Sequence, residues 1–444
     1  MSHPRVNRSD DDPTMRAEAQ ARDAADPLAG FRQRFALPRS PQGAPLTYLC
    51  GHSLGLAPLA ARELVDAELD AWERLGVEGH EEASRPWIPY HENLTADLAT
   101  LTGALAEEVV AMNSLTVNLH LMLASFYRPA HPRTQILIEA GAFSSDRHAV
   151  ASQIAWHGLD PDAELIELPP APGEDTLTHE AIEGCLAERG ERIALVLWPG
   201  VQFRSGQAFD LARIAKAAHA RGCIAGFDLA HSVGNVPLAL HDCGADFAVW
   251  CSYKYLNGGP GAIGGCFVHQ RHARAQPRER HSGALPGARL AGWWGHEEPT
   301  RFRMEPQFRA APGAAAWQVS NPPILSAAPL IASLAIFTAA GIERLRTKSV
   351  ELTGFMDALV RPLEPGVRII TPAAAAERGC QLSLRIAGGA ARGRRVFDAL
   401  RARGLVVDWR SPDIIRVAAV PLYNRFEEVL HFAQQLQAAL RATP

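Results

Sequence analysis

Short apolar runs, each closed by a polar residue or a glycine-containing turn, alternate along the chain with segments whose apolar positions recur at helix spacing. Residues 135–139 and the first part of 193–207 read as buried strands, as does 223–227, because near-continuous apolar runs belong to sheets covered on both faces. Between the last two, 209–221 has the pattern of an amphipathic helix ended by Gly222, which makes a right-handed β-α-β unit and predicts a mainly parallel sheet. Residues 59–75 and the stretch after Ser114 also carry helix spacing, and 324–363 reads as a long helical region joining two domains. Beyond it, strands at 367–370, 381–386, 406–408 and 414–420 alternate with helices at 391–403 and 425–442, the pattern of a compact α+β domain. With 444 residues the chain exceeds one ordinary domain. The reading is a polar, disordered lead-in at 1–27, a large domain at 28–330 whose first part contributes to the small domain, and a small domain at 331–444.

Two of the strands place chemistry at their ends. The run 223–227 stops on Asp228, and a second run at 245–251 delivers Tyr253 and Lys254 into a turn containing Gly258, Gly259 and Gly261. In an open α/β sheet that edge is where ligands bind. A lysine amine facing a buried aspartate is what pyridoxal phosphate requires: the amine condenses with the aldehyde, and the carboxylate keeps the pyridine nitrogen protonated. The glycines let backbone bend beside the lysine and approach a phosphate. Taken without its neighbours, Lys254 reads as an exposed loop lysine.

Composition narrows the field. A net charge of −4 gives no basic footprint for nucleic acid, and no apolar stretch approaches the ~20 residues that span a bilayer. The N-terminus lacks a signal-peptide apolar core, so a cytoplasmic protein is expected. The seven cysteines are scattered, with no pair or Cys/His cluster at zinc spacing, and read as reduced core thiols; no metal is expected. At Asn113 and Ser114 a helix N-cap precedes Leu115 and Thr116, which is either a plain cap or a phosphate cup made of free N–H groups. His80 and Trp87 fall in a loop. The basic segment 269–289 reads as a solvated loop in an acidic chain.

The stretch FDLAHSVGNVPLALHDCGADFAVWCSYKYLNGGPG resembles the cofactor-lysine region of kynureninase, a pyridoxal-phosphate enzyme of the aspartate aminotransferase superfamily, and the likeness extends from about Tyr48 to Tyr423. It implies the α/β fold type I of pyridoxal-phosphate enzymes: a mainly parallel, seven-stranded-type large-domain sheet flanked by helices, with a smaller α+β C-terminal domain. It implies pyridoxal 5'-phosphate as cofactor, Lys254 as the Schiff-base lysine, and Asp228 against the pyridine nitrogen. His231 lies on the cofactor's near side, and Tyr253 binds the phosphate with a further role in proton transfer. Leu115 and Thr116 fall at the phosphate, Phe143 stacks on the ring, and Asp146 contacts the cofactor from the same turn. Trp293 of AGWWGH reaches the phosphate from a partner subunit of a homodimer with shared active sites. Asn321 of QVSNPPILS lies on the same side, held by a turn that Pro322 and Pro323 fix. His80, Ser320 and Asn321 surround the substrate ring, and Arg416 holds the amino acid's α-carboxylate in a bidentate pair.

The activity so implied is hydrolytic Cβ–Cγ cleavage of kynurenine or 3-hydroxykynurenine to alanine and anthranilate or its hydroxylated form, in tryptophan degradation. The animal-type pattern at His80, Ser320 and Asn321 implies that the hydroxylated substrate is accepted at least as well. Two other readings are a cysteine desulfurase, for which Cys380 is the one candidate nucleophile, and a non-catalytic cofactor-binding regulator, for which neither terminus supplies a DNA-binding module.

Overall fold

The computed structural model of the protein describes residues 13–273 and 289–443. Contacts divide the chain into two units: residues 57–203 with 207–342, and a smaller one made of residues 1–56, 204–206 and 343–444. In chain order the first strands are β1 (Thr47–Tyr48), β2 (Val109–Ala111), β3 (Gln135–Glu139), β4 (Leu165–Leu168) and β5 (Ile193–Pro199). There follow β6 (Ile224–Asp228), β7 (Phe247–Trp250), β8 (Gly265–Val268) and β9 (Val367–Ile369). The last are β10 (Gln381–Ile386), β11 (Leu405–Val406), β12 (Asp408–Arg410) and β13 (Ile414–Ala418).

The larger unit is built on a seven-stranded sheet in the order β2-β8-β7-β6-β5-β3-β4. Strands β4, β3, β5, β6 and β7 are parallel, while β8 runs antiparallel to both β7 and β2. Two reversals restore the original sense, so β2 points the same way as the parallel strands. All residues of β2, β3, β7 and β8 are buried, as continuous apolar strands between helical layers must be. One core cluster, including Ile136, Ile138, Leu195, Leu197, Phe247 and Val249, packs the sheet against the helices Leu115–Phe126 and Ser144–Trp156.

The smaller unit holds the antiparallel sheet β12-β13-β10-β9 and the parallel pair β1-β11. Its core joins Leu382, Leu384, Ile415 and Val417 of the sheet to Val396 and Leu400 of one helix and Phe432 and Leu436 of another. The predicted strand at 406–408 is thus two short strands that pair in different sheets.

Two further expectations differ from the structure. Within the lead-in read as disordered, Pro13–Ala25 is a helix: Ala19 is fully buried, and both Asp23 carboxylate oxygens accept backbone N–H groups, from Phe426 and Glu427, that open the last helix. Residues 1–12 lie outside the described residues. The region 324–363 is two helices, Ile324–Ala340 and Ile342–Val360, separated at Gly341, whose φ of 78° suits glycine alone. Among the described residues no single helix is long and apolar enough to cross a membrane.

Candidate active site

The C-terminal ends of β3, β5, β6 and β7 share one edge of the large sheet, and the chain leaves each of them into the same cavity. Strand β2 ends on that edge as well, so the helix Leu115–Phe126 that follows begins there. Leu115, Thr116, Phe143, Asp146, Asp228, His231, Tyr253 and Lys254 all line this cavity. Eight residues spread over 140 positions of sequence are gathered because each lies within a few residues of a strand end or helix start.

Lys254 Nζ lies 3.0 Å from Nε2 of His231 and 5.8 Å from the centre of the Phe143 ring. Phe143 is 41 % exposed and meets Phe203 edge-on at 5.4 Å, so one ring face is available to a flat ligand. Asp228 is nearly buried, and its Oδ1 accepts the Ala230 N–H at 2.7 Å, which fixes the carboxylate at the strand end. In the turn after Lys254, Gly259 and Gly261 have φ of 87° and 73°, and a Cβ on Gly258 would stand 3.0 Å from the Ser252 carbonyl.

The carboxylates form a group that the sequence did not disclose. Burial, and then the neighbouring Asp228, push the Asp146 carboxyl well above the ordinary range, with Lys254 opposing. Burial also raises Glu139 to about 8, its hydrogen bond from Gln202 at 3.1 Å notwithstanding, and Asp228 adds to the rise. Of two close carboxylates one tends to keep its proton, and the upward shift falls on Asp146. Glu139 closes an apolar strand as Asp228 does, and that similarity was the signal available in the sequence. Burial, then Cys251, moves the Tyr253 phenol upward, so it stays a hydrogen-bond donor.

The fit to pyridoxal phosphate rests on three observations. Among the described residues Asp146 Oδ1 is buried and finds no partner beyond the Asp228 carboxylate beside it. The helix Leu115–Phe126 opens at Ser114 without a side-chain cap, since Asn113, the other candidate, donates instead to Asn118 Oδ1 at 2.9 Å. Its first N–H groups and dipole therefore face the cavity uncapped, as an anion site requires. Thr116 Oγ1 is 2.8 Å from Ser145 Oγ, which adds hydroxyls at the same corner. Third, the only amine among these lining residues, Lys254, stands over the aromatic face described above.

The remaining candidates lie elsewhere. His80, Asn321 and Trp293 line a second cavity of about 550 Å³ in the larger unit, with Trp294 and Phe302. His80 packs edge-on against Trp87 at 5.4 Å, and Trp87 in turn donates its indole N–H to the buried Glu68 at 2.9 Å. The Trp293 indole N–H donates to the Arg301 carbonyl at 3.0 Å, a bond that a phosphate would have to replace. Ser320 is exposed. Arg416 sits on β13 in the smaller unit, fully buried, and Cys380 in the same unit is 1 % exposed. The basic segment read at 269–289 is described only as far as Ala273 and from Arg289; within it Arg271 and His272 both bind Asp246, at 2.6 and 2.7 Å.

The family pattern for the kynureninase C-terminal domain matches residues 345–436. A kynureninase from Xanthomonas campestris pv. campestris (strain B100) is 56 % identical over 427 residues, which cover 96 % of this chain and 98 % of the relative. One from Xanthomonas euvesicatoria pv. vesicatoria (strain 85-10) is 57 % identical over 95 % of this chain and 98 % of its own. Among solved structures, the cystine C–S lyase C-DES in complex with cysteine persulfide superimposes with a TM-score of 0.74 at 19 % identity, covering 88 % of this chain and 97 % of that one. The cysteine desulfurase CsdA from Escherichia coli gives 0.72 at 17 % identity, covering 94 % and 99 %. At such identities those structures establish the fold, while near-full-length identity above one half establishes more: this chain belongs to the kynureninase family.

Proposed function

We propose that this chain hydrolyses the Cβ–Cγ bond of L-kynurenine and of 3-hydroxy-L-kynurenine with pyridoxal 5'-phosphate as cofactor. The observation that carries the reading is the identity to kynureninases along nearly the whole of both chains. In the reaction, water supplies a hydroxyl to the ring-bearing carbonyl carbon, which leaves as anthranilate or 3-hydroxyanthranilate, and Cβ takes up a proton to become the methyl group of L-alanine.

When bound, the cofactor supplies an electron-accepting ring conjugated to the substrate's α-carbon. The chain supplies the proton handling. Lys254 would hold the cofactor and serve as the base for the Cα proton, and His231 Nε2 at 3.0 Å offers that amine a partner for its own proton. Asp228, held in place by the Ala230 N–H, would face the pyridine nitrogen and favour its protonated form. Asp146 keeps its proton and donates, and Tyr253 donates its phenol hydrogen. Phe143 covers one ring face. The uncapped N-terminus at Leu115 and Thr116 receives the phosphate. Arg416 binds the α-carboxylate, and His80, Ser320 and Asn321 meet the substrate ring.

A homodimer is part of the proposal. The cavity at His80 and Asn321 is walled by Trp293, Phe302 and Val77, which are 44 %, 54 % and 79 % exposed, a large apolar surface for a protein to leave in water. A second copy covering it would bring Trp293 toward a phosphate site, and light scattering should then give twice the 48.0 kDa chain mass. The cytoplasm suits the seven cysteines, all of which are free thiols.

The test is addition of kynurenine to the purified protein loaded with pyridoxal phosphate, with anthranilate followed by fluorescence and alanine quantified. Equal amounts of the two products are expected, and their absence overturns the reading. Comparing kcat/KM for the two substrates decides the ring preference: a large advantage for the unhydroxylated one removes that part of the proposal. Desulfurase chemistry is disfavoured by the burial of Cys380.

A further inference from the structure

In the antiparallel pair β12 and β13, Asp408 lies directly opposite Arg416, and Arg410 lies opposite Ile414. Side chains two apart on a strand share a face, and so do directly opposed ones, so Asp408, Arg410 and Arg416 project together. Asp408 Oδ2 accepts from Arg416 Nε at 2.6 Å and lies 2.6 Å from Arg416 Nη2. The same oxygen accepts from Arg410 Nε at 2.9 Å. Ser53 Oγ accepts from Arg416 Nη2 at 3.2 Å and donates to the other Asp408 oxygen at 3.3 Å. His52 Nε2 stands farther off, 4.0 Å from Oδ2.

Arg416 is fully buried, and a guanidinium at that depth needs a counter-ion and a fixed geometry to be tolerated. Asp408 supplies both. It also accepts from two guanidiniums at once, so one carboxylate orients both. We propose that Asp408 is a positioning residue for carboxylate recognition: held by the sheet register, it fixes the Arg416 guanidinium through Nε and Nη2, with Ser53 bracing the same edge. This deepens the reading above and rests on it, since it presumes that Arg416 binds the substrate's α-carboxylate. Asp408 was not legible beforehand, because its spacing of eight from Arg416 acquires meaning only through the pairing of β12 with β13.

The experiment uses the loaded enzyme and three variants, Asp408→Asn, Arg416→Gln and Ser53→Ala. For Asp408→Asn we expect KM for kynurenine to rise about tenfold or more with kcat held within about threefold, the mark of lost uniform binding. Competitive inhibition by kynuramine, the same molecule without its α-carboxylate, should keep its inhibition constant in that variant. An unchanged KM in Asp408→Asn, or an equal weakening of kynuramine, overturns the proposal. If Arg416→Gln itself leaves KM unchanged, the carboxylate reading of Arg416 has failed and Asp408 falls with it. Should Asp408→Asn not fold, Ser53→Ala carries the test: a smaller KM rise at constant kcat supports the bracing, and no rise refutes it.

Discussion

The Lys254 amine stands 3.0 Å from His231 Nε2, so two groups 23 positions apart in sequence (254 − 231) form one hydrogen-bonded pair at the sheet edge. In the proposed reaction, replacing Lys254 by alanine removes both the covalent attachment and the base. Product formation should fall by about three orders of magnitude or more, and the near-visible absorbance of lysine-bound pyridoxal phosphate should vanish. Residual turnover above that level would show the base to be another group.

Asp228 accepts one backbone N–H and ends a buried strand, a setting that fixes the position of its carboxylate. Asp228→Asn keeps shape and loses charge. The expected result is a kcat lowered by roughly 10²–10⁴ with cofactor still bound, because a neutral amide no longer holds the ring nitrogen's proton. Single-turnover kinetics with a cofactor titration distinguishes this from simple loss of pyridoxal phosphate.

Glu139 gives a pH prediction for the apoprotein. Burial raises its folded value to about 8, while the unfolded chain titrates near the usual 4.5. The folded state then binds more protons between these values, so this group's contribution to stability declines as pH rises from about 4.5 to about 8 and levels off above. Glu139→Gln, which preserves an acceptor for Gln202, should flatten that slope and raise Tm at pH 8 more than at pH 5. A parallel shift at both pH values would show that Glu139 is ionised throughout.

Gly226, in the middle of β6, leaves room for a neighbour's ring: a Cβ there would stand 2.1 Å from Cζ of Phe247. Phe247 is fully buried between Phe126 and the sheet and has nowhere to retreat. Gly226→Ala should therefore cost about 1–3 kcal/mol of stability by overpacking, read as a lower denaturation midpoint at unchanged m-value.

Strand positions were the most legible feature of the sequence. Residues 135–139 and 381–386 are strands at those very bounds, since a run of apolar residues flanked by turn formers leaves a chain few alternatives. The helix at 13–25 was not legible, because its stability comes from Ala19 in a distant core and from Asp23 meeting the N–H groups of Phe426 and Glu427. In the site, Lys254 and Asp228 could be read from their places just past strand ends. Phe143 and Asp146 needed the family resemblance, for a phenylalanine after a strand is usually core. Glu139 and Asp408 were missed, one because it looked like an ordinary strand terminus and the other because only cross-strand register gives it a partner.

The segment that carries Lys254 runs between two antiparallel neighbours of the sheet, β7 and β8, and is stitched down along its length: Asn257 N–H to the Lys254 carbonyl, Gly258 N–H to Ser252, and Gly264 N–H to Asn113. Its main chain is thereby immobilised at both sides of the lysine. Any swing of the amine between an attached and a detached posture must come from rotation about the four side-chain carbon–carbon bonds, a nanosecond event in open space. Solvent viscosity should then leave this switch untouched, and whatever motion limits throughput has to be sought in other parts of the molecule.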